Sequence, residues 1–418
     1  MRILKIGLLL GGLLLAPILP AAAEPVTLQF WAAWDLNQPD AQAMQGQIAA
    51  FEQAHPDIRI ETQTIAFGAL HDKLVTAVAG GDAPDISWGL PEWFGELSRM
   101  GALLDVTPYA ADWPDRAAIY PNVLDGLTID GKLMAMPHYL GIRALLVHDA
   151  VLQKAGIVEP PKTWDELIAA AVKIKAATGQ YGFGIAGTGV RAPQELIMYL
   201  AQNDVAVARR QPDGGYKNSW ADDPAELARA TEVFAFYRRL LDEGAIAPEA
   251  AGWGWEEEDS NFALGKYAMV VDGAWMQSRA QQNPETMADV KVAPPPYKAR
   301  PATFFEINPF YLFKSTQHPK EVWEFASFMA GRDYQAAGRP TTSVRKDVVS
   351  TDLWGQGFAS LAPSGVVFPP VALGQITRAM EESIGRVLLK QEDPAAVAAW
   401  LGKQVNKALR QSGELSSS

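Results

Sequence analysis

The 418-residue chain contains no cysteine. That excludes disulfide staples, thiol nucleophiles and thiolate metal ligands, and it excludes the acylated cysteine that would tether an exported protein to a membrane. Histidine is scarce: His55, His71, His138, His148 and His318 are the five present, and none pairs with another at H-E-x-x-H spacing. There is no G-x-S-x-G elbow for a serine nucleophile. Positive charge is in deficit, with 36 Lys and Arg against 48 Asp and Glu and a formal net charge of -12. Such a chain is repelled by phosphate backbones, so nucleic acid is not an expected partner. Beyond residue 19 no apolar run approaches the ~20 residues that cross a bilayer.

What is present begins at the N-terminus. Arg2 and Lys5 precede an apolar stretch over 6–19, and Ala21, Ala22 and Ala23 follow it. This is the pattern of a cleavable export signal over 1–23, and the stretch is too short to serve as a membrane span. The protein is expected to work outside the cytoplasm as a soluble product, not a lipoprotein. A chain of this length exceeds the size at which one core keeps growing, which predicts two lobes.

Residues 26–30 alternate apolar and polar, the signature of a half-buried strand. Met44, Ile48 and Phe51 mark one face of a helix ending near His55 and Pro56. A strand over 58–65, a helix over 70–78 stopped by Gly80 and Gly81, and a buried strand over 85–88 come next. This alternation predicts a largely parallel sheet with helices on both faces. Residues 133–136 and 145–147 read as extended, with 138–143 crossing between lobes. Thr163-Trp164-Asp165-Glu166 is a capping box whose helix buries Trp164, Leu167, Ile168, Ala171 and Ile174. Further helices are expected from Asp223-Pro224, over 319–329 and over 393–410, with a frayed end at 412–418. The irregular stretches 293–301 and 338–343 read as later returns between lobes.

Gly182-Phe183-Gly184-Ile185-Ala186-Gly187 fits G-x-G-x-x-G, but its glycines lie within a strand instead of opening a helix, so the expectation is a strand edge met closely by backbone. Glu256-Glu257-Glu258-Asp259 reads as a solvated helix start, favoured by the helix dipole, because a glycosidase needs two carboxyls across a sugar and sequence neighbours seldom converge so. Aromatics and carboxylates collect in loops at strand ends: Trp34-Asp35, Glu92-Trp93, Trp253, Trp255 and Trp275. Ligands of open parallel sheets bind at that edge. Indole faces stack on the C–H face of a pyranose, and carboxylates accept from its hydroxyls.

Across nearly the whole mature chain the sequence resembles the extracellular solute-binding proteins of carbohydrate ABC importers, the maltose-binding-protein-like family. The resemblance is carried by Leu28-Gln29-Phe30-Trp31, Phe51-Glu52-Gln53-Ala54-His55-Pro56-Asp57-Ile58 and Gly81-Asp82-Ala83-Pro84-Asp85-Ile86. Gly131-Lys132-Leu133 with Met136-Pro137, Pro161-Lys162-Thr163-Trp164-Asp165-Glu166-Leu167 and Gly265-Lys266-Tyr267-Ala268-Met269 follow in order.

The resemblance implies an α/β, two-lobed periplasmic-binding-protein fold of class II, each lobe a mostly parallel sheet flanked by helices, with the ligand cleft between them. It implies an N-terminal lobe of 24–140 plus 307–334 and a C-terminal lobe of 141–306 plus 335–418, closing about 140–144 and a later crossing between 301 and 340. By position, Asp35 beside Trp34 matches the polar residue facing the sugar, Glu92 and Trp93 match cleft residues, Tyr139 and Arg143 flank the first hinge, and Trp275 matches a stacking aromatic. His138, Arg191, Trp255, Glu306, Asn308 and Arg345 complete the candidate set. Gly141 stands where sugar-binding members often have a carboxylate. The expected role is a monomeric periplasmic protein that captures a mono- or oligosaccharide and delivers it to a membrane permease, with no metal, cofactor or catalysis. A polyol, an acidic or modified sugar, a phosphodiester, a peptide, or a secreted carbohydrate-active enzyme are the alternatives.

Overall fold

The computed structural model describes residues 25–33 and 39–417. The export signal expected at 1–23, and Trp34 and Asp35, lie outside the described residues. The principal strands are β1 (Val26–Ala32), β2 (Ile58–Thr64), β3 (Ile86–Trp88), β4 (Met136–Ile142), β5 (Ala144–His148), β6 (Tyr181–Gly184), β7 (Tyr267–Asp272), β8 (Val290–Ala293), β9 (Thr303–Leu312) and β10 (Gly365–Val366). One sheet runs β10–β9–β3–β1–β2, with β4 also paired to β9; another runs β8–β5–β7–β6.

Both sheets are mixed. β1 is parallel to β2 and β3, as the strand–helix alternation of the first hundred residues predicts, and β9–β10 and β7–β6 are parallel too. The antiparallel pairs arise where the chain re-enters a sheet from the other lobe: β9 lies antiparallel to β3 and β4, and β5 antiparallel to β7 and β8. The two sheets therefore share one continuous path, β4 running into β5 through Arg143. Thr303 Oγ1 donates to the Arg143 carbonyl at 2.5 Å, and Arg143 N donates to the Phe304 carbonyl at 3.3 Å, which knits that passage to the start of β9.

Helices α1 (Pro39–Ala54) and α2 (Phe67–Gly80) accompany the first sheet. α3 (Trp164–Thr178), α4 (Arg191–Gln202), α5 (Pro224–Asp242) and α6 (Trp255–Ala263) follow in the second lobe. α7 (Pro319–Met329) returns to the first sheet, and α8 (Leu373–Leu388) and α9 (Pro394–Gln411) pack on each other and on α4 and α5. α3 opens with the expected capping box: Glu166 N donates to Thr163 Oγ1 and Thr163 N to Glu166 Oε2. Such a cap contributes about 1 kcal/mol. The first core stacks Phe30, Phe51, Phe310 and Phe325 edge to face, and the second packs Trp164, Tyr199, Phe236 and Tyr237.

Two sequence expectations need correcting. The end of the chain is not frayed through 417: Tyr216 N donates to the Glu414 carbonyl, Ser416 N to the Tyr216 carbonyl, and Ser417 N to Asp213. These bonds hold the segment because Asp213 sits in a turn whose carboxylate collects several donors at once. The second correction concerns the acidic run. Glu256 and Glu257 are exposed, but Glu258 and Asp259 are fully buried, turned inward by a partner described below. The G-x-G-x-x-G segment behaves as expected, on the edge strand β6: a Cβ on Gly182 would collide with the Ala171 backbone.

Candidate functional site

A cavity of 510 Å³ opens between the two sheets. Phe67, Trp88 and Leu90 wall it from the first lobe; Arg191, Gln194, Trp255 and Trp275 wall it from the second; Tyr139, Arg143 and Glu306 come from the crossing strands. Its volume lies within the range of small-ligand pockets, and it has their mixture of aromatic walls and few polar groups. A smaller cavity of 350 Å³ lies elsewhere on the seam, lined by Arg99, Asp130, Arg210, Tyr216 and Glu414 among others. It contains no indole, and its charges pair with one another, Arg210 to Asp130 and Arg99 to Glu414.

Polar groups in the cleft are tightly ordered. Arg143 Nη2 donates to Glu306 Oε2 at 2.7 Å and to Gln194 Oε1 at 2.5 Å, and Gln194 Nε2 donates to Glu92 Oε1 at 2.7 Å. Glu92 is thereby joined to the second lobe. Burial first, and the neighbouring Glu306 second, push its carboxyl up to about 7 against the pull of Gln194 and Arg143. Gly141 faces Glu306 directly across the β4–β9 ladder.

Behind the second wall Arg191 gathers the buried acids. Its Nη1 reaches Glu258 Oε2 at 2.9 Å and Asp272 Oδ1 at 2.8 Å, and its Nη2 lies 3.4 Å from Asp259. This is why two residues of the acidic run turn inward: a buried guanidinium needs carboxylate partners, and α6 supplies them. Glu258, Asp259 and Asp272 present oxygens within 4.8 Å of one another, close enough to share a metal ion, and the guanidinium stands among them as their cation. Burial would lower the Arg191 pKa, but Asp272, Asp259 and Glu258 raise it, so it stays charged. Burial and mutual repulsion push Glu258 and Asp259 well up, and burial pushes Glu195 to about 7 although Arg191 opposes it. Glu195, Glu258 and Asp259 therefore hold their protons to higher pH than free carboxyls do.

Trp275 joins both networks. Arg143 lies 4.4 Å and Arg191 4.8 Å from its ring centroid, and its Nε1 donates to Asp259 Oδ2 at 3.0 Å. Trp88 brings an indole from the opposite lobe, its Nε1 buried with no acceptor among the described residues.

Of the residues anticipated from sequence, Tyr139, Arg143, Arg191, Trp255, Trp275 and Glu306 line the cavity. Glu92 is not a lining residue but is bonded to Gln194, which is, and Asn308 is buried on β9 with neither side-chain polar atom bonded among the described residues. Trp93, His138 and Arg345 are not among the lining residues. Trp93 packs edge-on against Trp88 and beside His71. His138 is wholly buried, stacked on Phe310 at 4.2 Å and bonded to Tyr334 Oη at 2.7 Å; burial first, then Arg339, holds it well below its ordinary pKa. Arg345 is committed to Asp347 and Asp115. Sequence reasoning missed Gln194, Trp88 and Phe67. Trp88 ends the very strand whose following residues were chosen, and Gln194 lies one helical turn from Arg191, so i, i+3 spacing could have found it.

Residues 34–336 match the profile of the family described as bacterial extracellular solute-binding protein. A Brucella abortus protein named only as a binding protein is 24% identical over 360 residues, covering 83% of this chain and 85% of its own. The mannitol-binding protein of Pseudomonas aeruginosa is 28% identical over 271 residues, 62% of this chain and 57% of its own. The crystal structure of an ABC transporter solute-binding protein from Thermotoga lettingae, bound with alpha-D-tagatose, superimposes with a TM-score of 0.79 at 26% identity, covering 92% of this chain and 100% of that one.

Proposed function

The chain belongs to the bacterial extracellular solute-binding proteins, and from that membership we propose that it captures a neutral carbohydrate in the cleft and delivers it to the permease of an ABC importer. The observation that carries this reading is the combination of indoles on both walls with guanidiniums already matched by carboxylates. Trp255 and Trp275 offer stacking faces, while Arg143 is paired with Glu306 and Arg191 with Glu258 and Asp272. An acidic sugar or phosphodiester would have to displace one of those buried partners, at the cost of leaving a carboxylate unpaired. A ring with apolar faces and neutral hydroxyls suits the surfaces left open; a linear polyol has no such face to stack.

The ligand-contacting set in this reading is Tyr139, Arg143, Arg191, Trp255, Trp275 and Glu306, to which the family resemblance adds Trp34 and Asp35. The lobes take 24–140 plus 307–334 and 141–306 plus 335–418. Residues 1–23 direct export to the periplasm, where the mature protein is a free monomer that does no chemistry on the sugar. Ligand contacts to both lobes form fully only when they approach, so differential affinity drives closure.

A thermal-shift panel of tagatose, mannitol and maltose tests this directly. A ligand at 100 times its dissociation constant adds about 2.7 kcal/mol to stability. Stabilisation by tagatose or maltose is the expected result, and stabilisation by mannitol alone would favour the polyol reading. A flat response to all three together with release of reducing ends from oligosaccharides would replace capture by hydrolysis.

A further inference from the structure

We propose that Gln194 is a positioning residue: its side-chain amide straps the two lobes together at the cleft floor by holding Glu92 and fixes how Arg143 faces a ligand. Gln194 stands in the first turn of α4, against the second sheet, while Glu92 follows β3 of the first. Its oxygen accepts from Arg143 and its nitrogen donates to Glu92. The amide cannot turn over, since reversal would set its NH2 against a guanidinium and its oxygen against a carboxyl oxygen. Gln194 thereby decides which hydrogen-bonding capacity remains. Glu92 uses Oε1 on Gln194 and keeps Oε2 without a partner among the described residues; Arg143 spends Nη2 on Gln194 and Glu306 and keeps Nε likewise without one.

The strap is also sensitive to charge. Glu306 and Tyr311 on β9 and Arg143 at the β4–β5 junction are the titratable and charged groups facing Glu92. Arg191 and Glu195 flank Gln194 on α4. An acid at 194 would add a third carboxyl beside Glu92 and Glu306 while still accepting from Arg143. Protonated, it would regain a donor for Glu92; ionised, it would push the lobes apart.

Lobe movement is taken over from the capture reading, but the measurement needs no sugar, so a failed sugar panel leaves it interpretable. Because the chain has no cysteine, Asp72→Cys on the first lobe and Glu256→Cys on the second accept two spin labels at exposed positions without competition. Electron–electron distance distributions are recorded for ligand-free protein at about pH 5.5 and about pH 7.5, on either side of a carboxyl held near neutrality. Relative to wild type at the same pH, Gln194→Glu should gain a longer-distance population at the higher pH and lose it at the lower. Gln194→Leu, with no donor at any pH, should keep the longer population at both. Distances equal to wild type in Gln194→Glu at both pH values would overturn the strap, as would a longer population that acid does not reverse. Should Gln194→Leu fail to fold by circular dichroism, the two pH points of Gln194→Glu decide alone.

Discussion

Glu306 stands across the β4–β9 ladder from Gly141, and its side chain fills the space a residue at 141 would need. A Cβ placed on Gly141 would lie 3.1 Å from Glu306 Cβ, 3.2 Å from its Oε2 and 3.1 Å from Arg143 Nη1. The cleft thus has a carboxylate at the level of Gly141, supplied by the neighbouring strand. Gly141→Asp would set a second carboxylate against the first in a closely packed floor. It should cost about 1–3 kcal/mol of stability by overpacking, read as a lower urea midpoint. An unchanged midpoint would mean that Glu306 can swing aside.

The two cleft indoles should separate in their behaviour. Trp275 carries two guanidiniums, and cation–π contacts are worth about 0.5–2 kcal/mol each, so Trp275→Ala should lower ligand-free stability as well as affinity for whichever panel sugar binds. Trp255 opens α6 at the cavity edge, and Trp255→Ala should weaken that sugar by about 1 kcal/mol while leaving the ligand-free melting temperature near wild type. Calorimetry paired with thermal unfolding checks both, and identical profiles for the two variants would contradict the division.

Arg191 is the cation of a buried acidic cluster, so Arg191→Met removes the partner and leaves the acids. Breaking such a network costs about 3–5 kcal/mol. The loss should be larger at about pH 8 than at about pH 5, because protonation relieves the abandoned carboxyls. Urea unfolding at the two pH values measures it, and equal losses would mean that the acids are neutral throughout.

Glu92 has its pKa raised from 4.5 to about 7, so between those values the folded chain holds a proton that the unfolded chain releases. The contribution is present in full below pH 4.5 and lost as pH rises through 7, amounting to about 3 kcal/mol at 1.36 kcal/mol per unit. Glu92→Gln, which is neutral at every pH, should match wild type near pH 4.5 and exceed it at about pH 8. A variant less stable than wild type at the higher pH would show that the charged form is the one the fold wants.

Legibility followed exposure. α3 was readable because its two faces differ and its cap is spelled in four residues, and β1 because its burial alternates. α4 was not: it opens on Arg191, Pro193, Gln194 and Glu195, and all of its residues, the polar ones included, are buried, so its polar side does not face water. β9 was hidden for a related reason: all ten residues are buried, and Pro309 within it argues against a central strand until the register shift at Asn308 and Pro309 absorbs the missing donor. The site divided along the same line. Trp275, Arg143 and Glu306 came from family resemblance, and residues such as Gln194 acquire meaning only when β4, β9 and α4 are brought together. Local pattern placed Glu258 in solvent; a guanidinium 67 residues away placed it inside.

The interleaving of the sheets also sets an order of assembly. β3 ends at residue 88, yet its outer neighbour in the first sheet, β9, is not complete until residue 312 of 418. Closing so long a loop is entropically slow, and pairing across such a separation puts the fold among the slow-forming topologies. While the ribosome is still short of that strand, the Phe30 core lacks Phe310 and Phe325, two of the rings packed against it. A nascent chain built this way stays pliable for most of its synthesis and can be threaded through a narrow channel before its first lobe locks.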